Sequence, residues 1–366
     1  LNLSFKSKLW LAGFFLVVAV CAFLPPGWGA EPPFLCKREI PEITFGNLSP
    51  PYRDYEYFQN REAVPFEYRA FVFSLANAWW LAEVSTLVYA DEDFVKQRFG
   101  EAGLRRVKFF DRSGTQCFVA ANDRFAVVAF RGSEIWKRND RFDPRQMISD
   151  FSTDIDIRLT DWDRGGRVHS GFKAALEDVW EEMAIEVAAL ENQGLGIWVT
   201  GHSLGAALAT LAADRMPGVR GLYTYGSPRV GDQGFQEVFR PKAFRVVNGR
   251  DIVAGVPPEN PYRHVGILKS IGPGGGGDDR VRSAGEKGEV PCPGDKEAAG
   301  NVKEGQSSGS AAFIPGSIRD HVPLLYSILL WNKLVGSRES VSARRPECRE
   351  PKRGKMQIIP IGKDLE

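Results

Sequence analysis

Residues 201–205 read Gly-His-Ser-Leu-Gly, with a single serine, Ser203, between two glycines. A serine hydroxyl becomes a useful nucleophile only when a base can take its proton and a third group orients that base. The pattern Gly-x-Ser-x-Gly is weak alone, because residues 305–309, Gly-Gln-Ser-Ser-Gly, fit it equally well. Context separates the two. Ser203 follows the β-branched and aromatic run "GIWVT" and precedes the alanine-rich run "LGAALATLAADRM", so it is expected on a sharp strand-to-helix turn. Glycine on both sides suits that turn, and the helix start offers backbone N–H groups to developing negative charge. The other match has no strand before it and no helix directly after it.

The chain has four histidines, so the base can be sought by elimination. His202 adjoins the serine and cannot swing onto its neighbour's hydroxyl. His169 precedes Ser203, against the Ser…Asp…His order of α/β-hydrolases. His264 lies within the apparent strand "YRHVGILKS" and His321 at the mouth of the last helical pattern, beyond the final strand. His321 is the preferred base and His264 the reserve. For the orienting acid, Asp251 follows the strand-like "AFRVV". Asp232 competes, but a helix N-cap explains it without chemistry. A second oxyanion donor is expected after the strand "FAVVAF", where Ser133 would act beside the N–H of Leu204.

The elements that must position these groups alternate. Three β-like runs, "RRVKFF", "QCFVAAN" and "FAVVAF", are separated by turn residues. After them "GFKAALEDVWEEMAIEVAALE" is an amphipathic helix, and strand and helix patterns then alternate through "LGIWVT", "SLGAALATLAADRM", "VRGLYTYG", "GFQEVF" and "AFRVVN". Alternation of this kind predicts crossover units, a mostly parallel central sheet and helices on both faces. Before them, "EYRAFVFSLANAWWLAEVSTLVYAD" reads as one or two helices, and "DHVPLLYSILLWNKL" as the last helix.

The ends and the interruptions differ in character. Residues 1–30 carry lysines, then an uninterrupted apolar run over 9–24, then prolines and small residues, the order of a secretory signal peptide cleaved after Gly29 or Ala30. An uncleaved anchor is the alternative. Residues 31–65 form an N-terminal extension, 66–335 the catalytic domain and 336–366 a basic tail. A glycine-rich insert over about 272–312 has few large apolar residues and should not pack. Without the leader four cysteines remain, Cys36, Cys117, Cys292 and Cys348, an even set that suggests two disulfides in an exported chain. A staple between Cys36 and Cys348 is one pairing. The net charge of +1 gives no reason to expect nucleic acid as a partner.

Taken in order, "AFRGS", "VHSGF", "VTGHSLGAALA", "TYGSPRVGD", "VVNGRDIVAGVPP", "YRHVG" and "DHVPLLY" resemble the class three lipases, the family of the filamentous-fungal secreted lipases. The resemblance runs from about residue 67 to 335. It implies an α/β-hydrolase fold with a lid segment, a triad of Ser203, Asp251 and His321, oxyanion donors at Ser133 and Leu204, and structural roles for His169 and His264. The serine chemistry needs no cofactor and no metal, and the expected partner is an ester lipid substrate met at a lipid–water interface. A secreted triacylglycerol lipase is the expectation. A phospholipase, a feruloyl or aryl esterase, an acyltransferase and an inactive lipid-binding protein on the same scaffold are the alternatives. The lid position falls in residues 134–162, where Ile135, Trp136, Phe142, Met147, Ile148 and Phe151 could form an apolar face beside Lys137, Arg138, Arg141 and Arg145.

Overall fold

A computed structural model of the chain describes residues 35–132, 158–272 and 314–339. The leader, Ser133, most of the lid position, nearly all of the glycine-rich insert, Cys292, Cys348 and residues 340–366 lie outside the described residues.

From Cys36 onward the described residues form one compact unit. Its centre is a seven-stranded sheet of β1 (Arg106–Arg112), β2 (Thr115–Ala121), β3 (Phe125–Phe130), β6 (Gly196–His202), β7 (Val219–Tyr225), β8 (Ala243–Asn248) and β9 (Ile267–Ile271), in the spatial order β1-β2-β3-β6-β7-β8-β9. The first three strands are an antiparallel meander, and from β3 across to β9 every neighbouring pair is parallel. A separate hairpin pairs β4 (Leu159–Asp161) with β5 (Arg167–His169). The central strands are buried on both faces, as expected of parallel strands covered by crossover helices, and β3 is apolar at every position.

Alternate side chains divide between two helical layers. On one face Cys117, Val119, Val128, Ile197, Val199 and Leu222 join a core with α3 (Ser170–Asn192) and α4 (Leu204–Arg215), to which α3 contributes Phe172, Leu176, Val179, Met183 and Val187. On the other, Thr200 Oγ1 donates to the Leu81 carbonyl at 3.3 Å and the Tyr225 hydroxyl to the Ala78 carbonyl at 2.5 Å, which fixes α1 (Leu75–Leu87) across β6 and β7. Between α1 and β1 lies α2 (Glu92–Glu101); α5 (Gln233–Val238) precedes β8; α6 (Gly316–Arg319) and α7 (Pro323–Glu339) follow β9. The parallel sheet with helices on both faces and a strand–serine–helix turn is the α/β-hydrolase arrangement.

Four features differ from the sequence expectation. His264 is not in a strand: β9 starts only at Ile267, because Gly266 at φ +82° turns the chain before pairing begins. The last helical pattern is split. A turn at Asp320 and His321 separates α6 from α7, which starts at Pro323, a residue suited to a first helical turn, and runs four residues past 335. The end of the lid position is core instead, since Trp162 is buried and its Nε1 donates to Asp214 Oδ2 at 2.8 Å. Finally, Cys117 is a free thiol, wholly enclosed in β2, and its burial pushes the thiol pKa up. The two-disulfide expectation therefore fails at Cys117, whose inward-facing position on the strand leaves only core side chains around it.

Residues 36–66 contain no helix or strand, yet Tyr52, Tyr57, Phe58 and Val64 are buried. A fully enclosed carboxylate on α1 holds this extension down. Glu83 Oε1 accepts from Arg38 Nη1 at 2.7 Å, from the Tyr55 hydroxyl at 2.7 Å and from Trp79 Nε1 at 2.8 Å, while Oε2 accepts from the Phe58 backbone N–H at 3.1 Å.

Candidate active site

Ser203 sits at the junction between β6 and α4 with φ 58° and ψ −128°, a backbone conformation that non-glycine residues rarely adopt. Sterics explain the flanking glycines. A Cβ on Gly201 would lie 2.2 Å from the Gly205 carbonyl oxygen, and one on Gly205 would lie 2.2 Å from the Phe130 carbonyl oxygen. Only two glycines let the turn close this tightly against β3. The result is a serine side chain raised from the sheet's carboxyl edge, with the N–H of Leu204 beside it as the first residue of α4 and so without an intrahelical acceptor.

The structure brings three distant side chains to this point. His321 Nε2 lies 3.0 Å from Ser203 Oγ, and His321 Nδ1 lies 2.9 Å from both carboxylate oxygens of Asp251. All three residues are buried. Since a carboxylate only accepts, Nδ1 carries the proton of the neutral ring and Nε2 is left to accept from the serine. Burial alone would raise the Asp251 carboxyl. The charge and hydrogen bond of His321, with the Tyr326 hydroxyl, outweigh that and hold it below the ordinary carboxylate value. Asp251 Oδ1 also accepts from the Val253 N–H at 2.8 Å, and Oδ2 accepts from Tyr326 on α7. Tyr326 is itself fixed by the Asn248 N–H, 3.1 Å from its hydroxyl.

The other expected residues stand elsewhere. His264 donates from Nε2 to the Ala254 carbonyl at 2.8 Å; burial first, then Arg245, pushes its pKa far down. Asp232 caps α5, accepting from the Phe235 N–H at 3.0 Å, and pairs with Arg167. His169 caps α3, its Nδ1 accepting from the Gly171 N–H at 3.1 Å. Leu204 is where the turn requires it, and Ser133 lies outside the described residues.

Sequence reasoning missed several residues at the site. Gly226, at φ +54° after β7, is one: a Cβ there would lie 2.5 Å from Asp251 Oδ2 and 2.8 Å from His321 Nδ1. Tyr326 is another, although its place one helical turn after Pro323 in "DHVPLLY" was available as a signal. His202 and Tyr89 are also in contact with the site. Beside it, a cavity of about 260 Å³ is lined by Thr115, Gln116, Arg131, Gly132, Leu204 and Leu208. Its lining combines Leu204 and Leu208 of α4 with Thr115 and Gln116 of β2.

Residues 127–260 match the family model described as lipase (class 3). A secreted mono- and diacylglycerol lipase of Fusarium solani is 35% identical over 166 residues, covering 42% of this chain and 46% of that protein. The phospholipase A1-II 6 of Oryza sativa subsp. japonica is 32% identical over 188 residues, with the same two shares of 42% and 46%. Among solved structures, the Rhizomucor miehei lipase propeptide complex is similar at 29% identity with a TM-score of 0.38, covering 47% of this chain and 58% of that one. The chain thus spans less than half the length of the curated relatives it matches.

Proposed function

We propose that the protein, whose residues 127–260 match the lipase (class 3) model, is a serine hydrolase of carboxylic esters that acts on glycerolipids. The observation that carries this reading is the continuous line from Ser203 Oγ through the His321 ring to Asp251, at a strained strand-to-helix turn. Ser203 Oγ attacks the ester carbonyl carbon as its proton passes to His321 Nε2. The carbon–oxygen bond to the alcohol breaks, and the departing alkoxide takes that proton. Water then repeats the sequence on the acyl-enzyme. Asp251 orients the ring and stabilises its charged form. The Leu204 N–H, with that of Ser133, stabilises the oxyanion. Losing one such donor typically costs about 100-fold or more in rate. The chemistry itself calls for no metal or cofactor.

Acylglycerols are the proposed substrates, as for the Fusarium relative; the match to a rice phospholipase A1 supports phospholipids as the second reading. Export by the leader and action at a lipid–water interface belong to the same proposal. Among the described residues no helix is long and apolar enough to cross a membrane. The test is release of p-nitrophenol from esters of rising acyl length, below and above their solubility, with trioleoylglycerol and phosphatidylcholine emulsions alongside. Activity on emulsified long chains that vanishes in Ser203→Ala supports the reading. Activity confined to short soluble esters makes the protein an esterase, and an alanine variant as active as wild type overturns the assignment of Ser203.

A further inference from the structure

His202 is wholly buried beneath His321, their ring centroids 4.4 Å apart and tilted by 33°. Both of its nitrogens are engaged. Nε2 lies 2.8 Å from the backbone carbonyl oxygen of His321, and Nδ1 lies 3.0 Å from the Tyr89 hydroxyl. A carbonyl oxygen only accepts, so Nε2 carries the proton of the neutral ring and Nδ1 accepts from Tyr89. Burial, and then the nearness of His321, hold His202 neutral, so it does not add a second positive charge when His321 takes the serine proton.

Tyr89 continues the line on its other side. Its hydroxyl also packs against the backbone of Gly132, which follows β3. The approach is close enough that a Cβ on Gly132 would fall 1.9 Å from that oxygen and 2.8 Å from the His202 carbonyl oxygen. The two hydrogen bonds run one way, from Tyr89 to His202 and from His202 to the carbonyl of the residue facing Ser203.

We infer that His202, held by Tyr89, is a positioning residue that anchors the backbone of His321, so that the base keeps its place over Ser203. This inference rests on the reading of His321 as the base. His202 touches neither substrate nor the reacting oxygen in this role. It acts by holding the backbone of the residue whose ring does, where a misplacement of about 1 Å can cost on the order of 100-fold in rate.

A double-mutant cycle in the full-length protein tests it, with kcat, KM and Tm read for each variant. Tyr89→Phe and His202→Phe are each expected to lower kcat about tenfold with KM unchanged. The double variant should be no slower than the slower single one, because either change interrupts the same line. His202→Gln, whose amide can donate to the His321 carbonyl and accept from Tyr89, should recover most of the loss. If His202→Phe does not fold, His202→Leu takes its place in the cycle. Losses that multiply in the double variant, or a lowered Tm with kcat unchanged, overturn the inference. Ser203→Ala run in parallel keeps the two claims apart: if it is inactive while the Tyr89 and His202 variants are unimpaired, the hydrolase reading stands and this one falls.

Discussion

Two buried carboxylates in this molecule have nearly the same surroundings and opposite uses. Glu83 and Asp251 are both enclosed, and each accepts a tyrosine hydroxyl, a backbone N–H and a bond from a basic side chain. Glu83 faces Arg38, whose guanidinium stays charged at any pH the protein meets, so the pair is a fixed lock between the N-terminal extension and α1. Asp251 faces His321, whose charge can come and go, and the far nitrogen of that ring faces a serine rather than a core side chain. Burial and satisfied hydrogen bonds therefore do not mark a functional carboxylate. The distinguishing features are a partner that can lose its proton and a path from that partner to a nucleophile.

The comparison is broken most sharply by neutralising each carboxylate in turn. Asp251→Asn is expected to lower kcat about 10⁴-fold while leaving the fold intact, because the amide no longer holds the ring in the required tautomer. Glu83→Gln should do the reverse, costing about 3–5 kcal/mol of stability by leaving Arg38 without its counter-charge, with kcat per folded molecule near wild type. Chemical denaturation beside steady-state kinetics separates the two, and matching profiles would end the distinction. Gly226→Ala comes next, with an expected fall in kcat on the order of 100-fold, since the added carbon displaces the Asp251–His321 pair. Tyr326→Phe should cost about tenfold, the scale of one hydrogen bond to a charged group. In this variant Asp251 keeps its bonds to His321 and Val253.

The smallest effect concerns pH. The Asp251 carboxyl titrates below its ordinary value in the folded state, so its contribution to stability is fully present above the unfolded pKa of about 3.9 and is lost as pH falls through the folded value. The stability difference between wild type and Asp251→Asn should accordingly stay level from neutrality to about pH 4 and shrink only below it. A difference that already shrinks above pH 5 would mean the carboxyl is not held down.

Much of the site is legible in the sequence because its parts lie at the ends of elements with strong local signatures. Ser203 is marked by a strand, two glycines and a helix within about a dozen residues, and Asp251 and His321 by their positions after strands. The steric need for Gly201 and Gly205 is likewise local. Contacts made across the fold carry no comparable mark. His202 reads as a bystander because it cannot reach its neighbour's hydroxyl, yet it lies under a ring more than a hundred residues away. Tyr326 is one aromatic in an apolar helical pattern until Asp251 is seen beneath it. An even cysteine count says nothing of which side of β2 Cys117 faces, and that side decides whether it can pair. His264 reads as part of a strand because the turn at Gly266 is a backbone feature that apolar periodicity does not register.

The central claim is that Ser203 is activated by His321, and covalent labelling tests it without knowledge of the natural substrate. The full-length protein would be treated with a fluorophosphonate and digested, and the adduct located by mass spectrometry. The account predicts a single adduct on Ser203, formed at least about 100-fold more slowly in His321→Ala. Labelling at another serine, or a rate on Ser203 unchanged by the loss of His321, would contradict it.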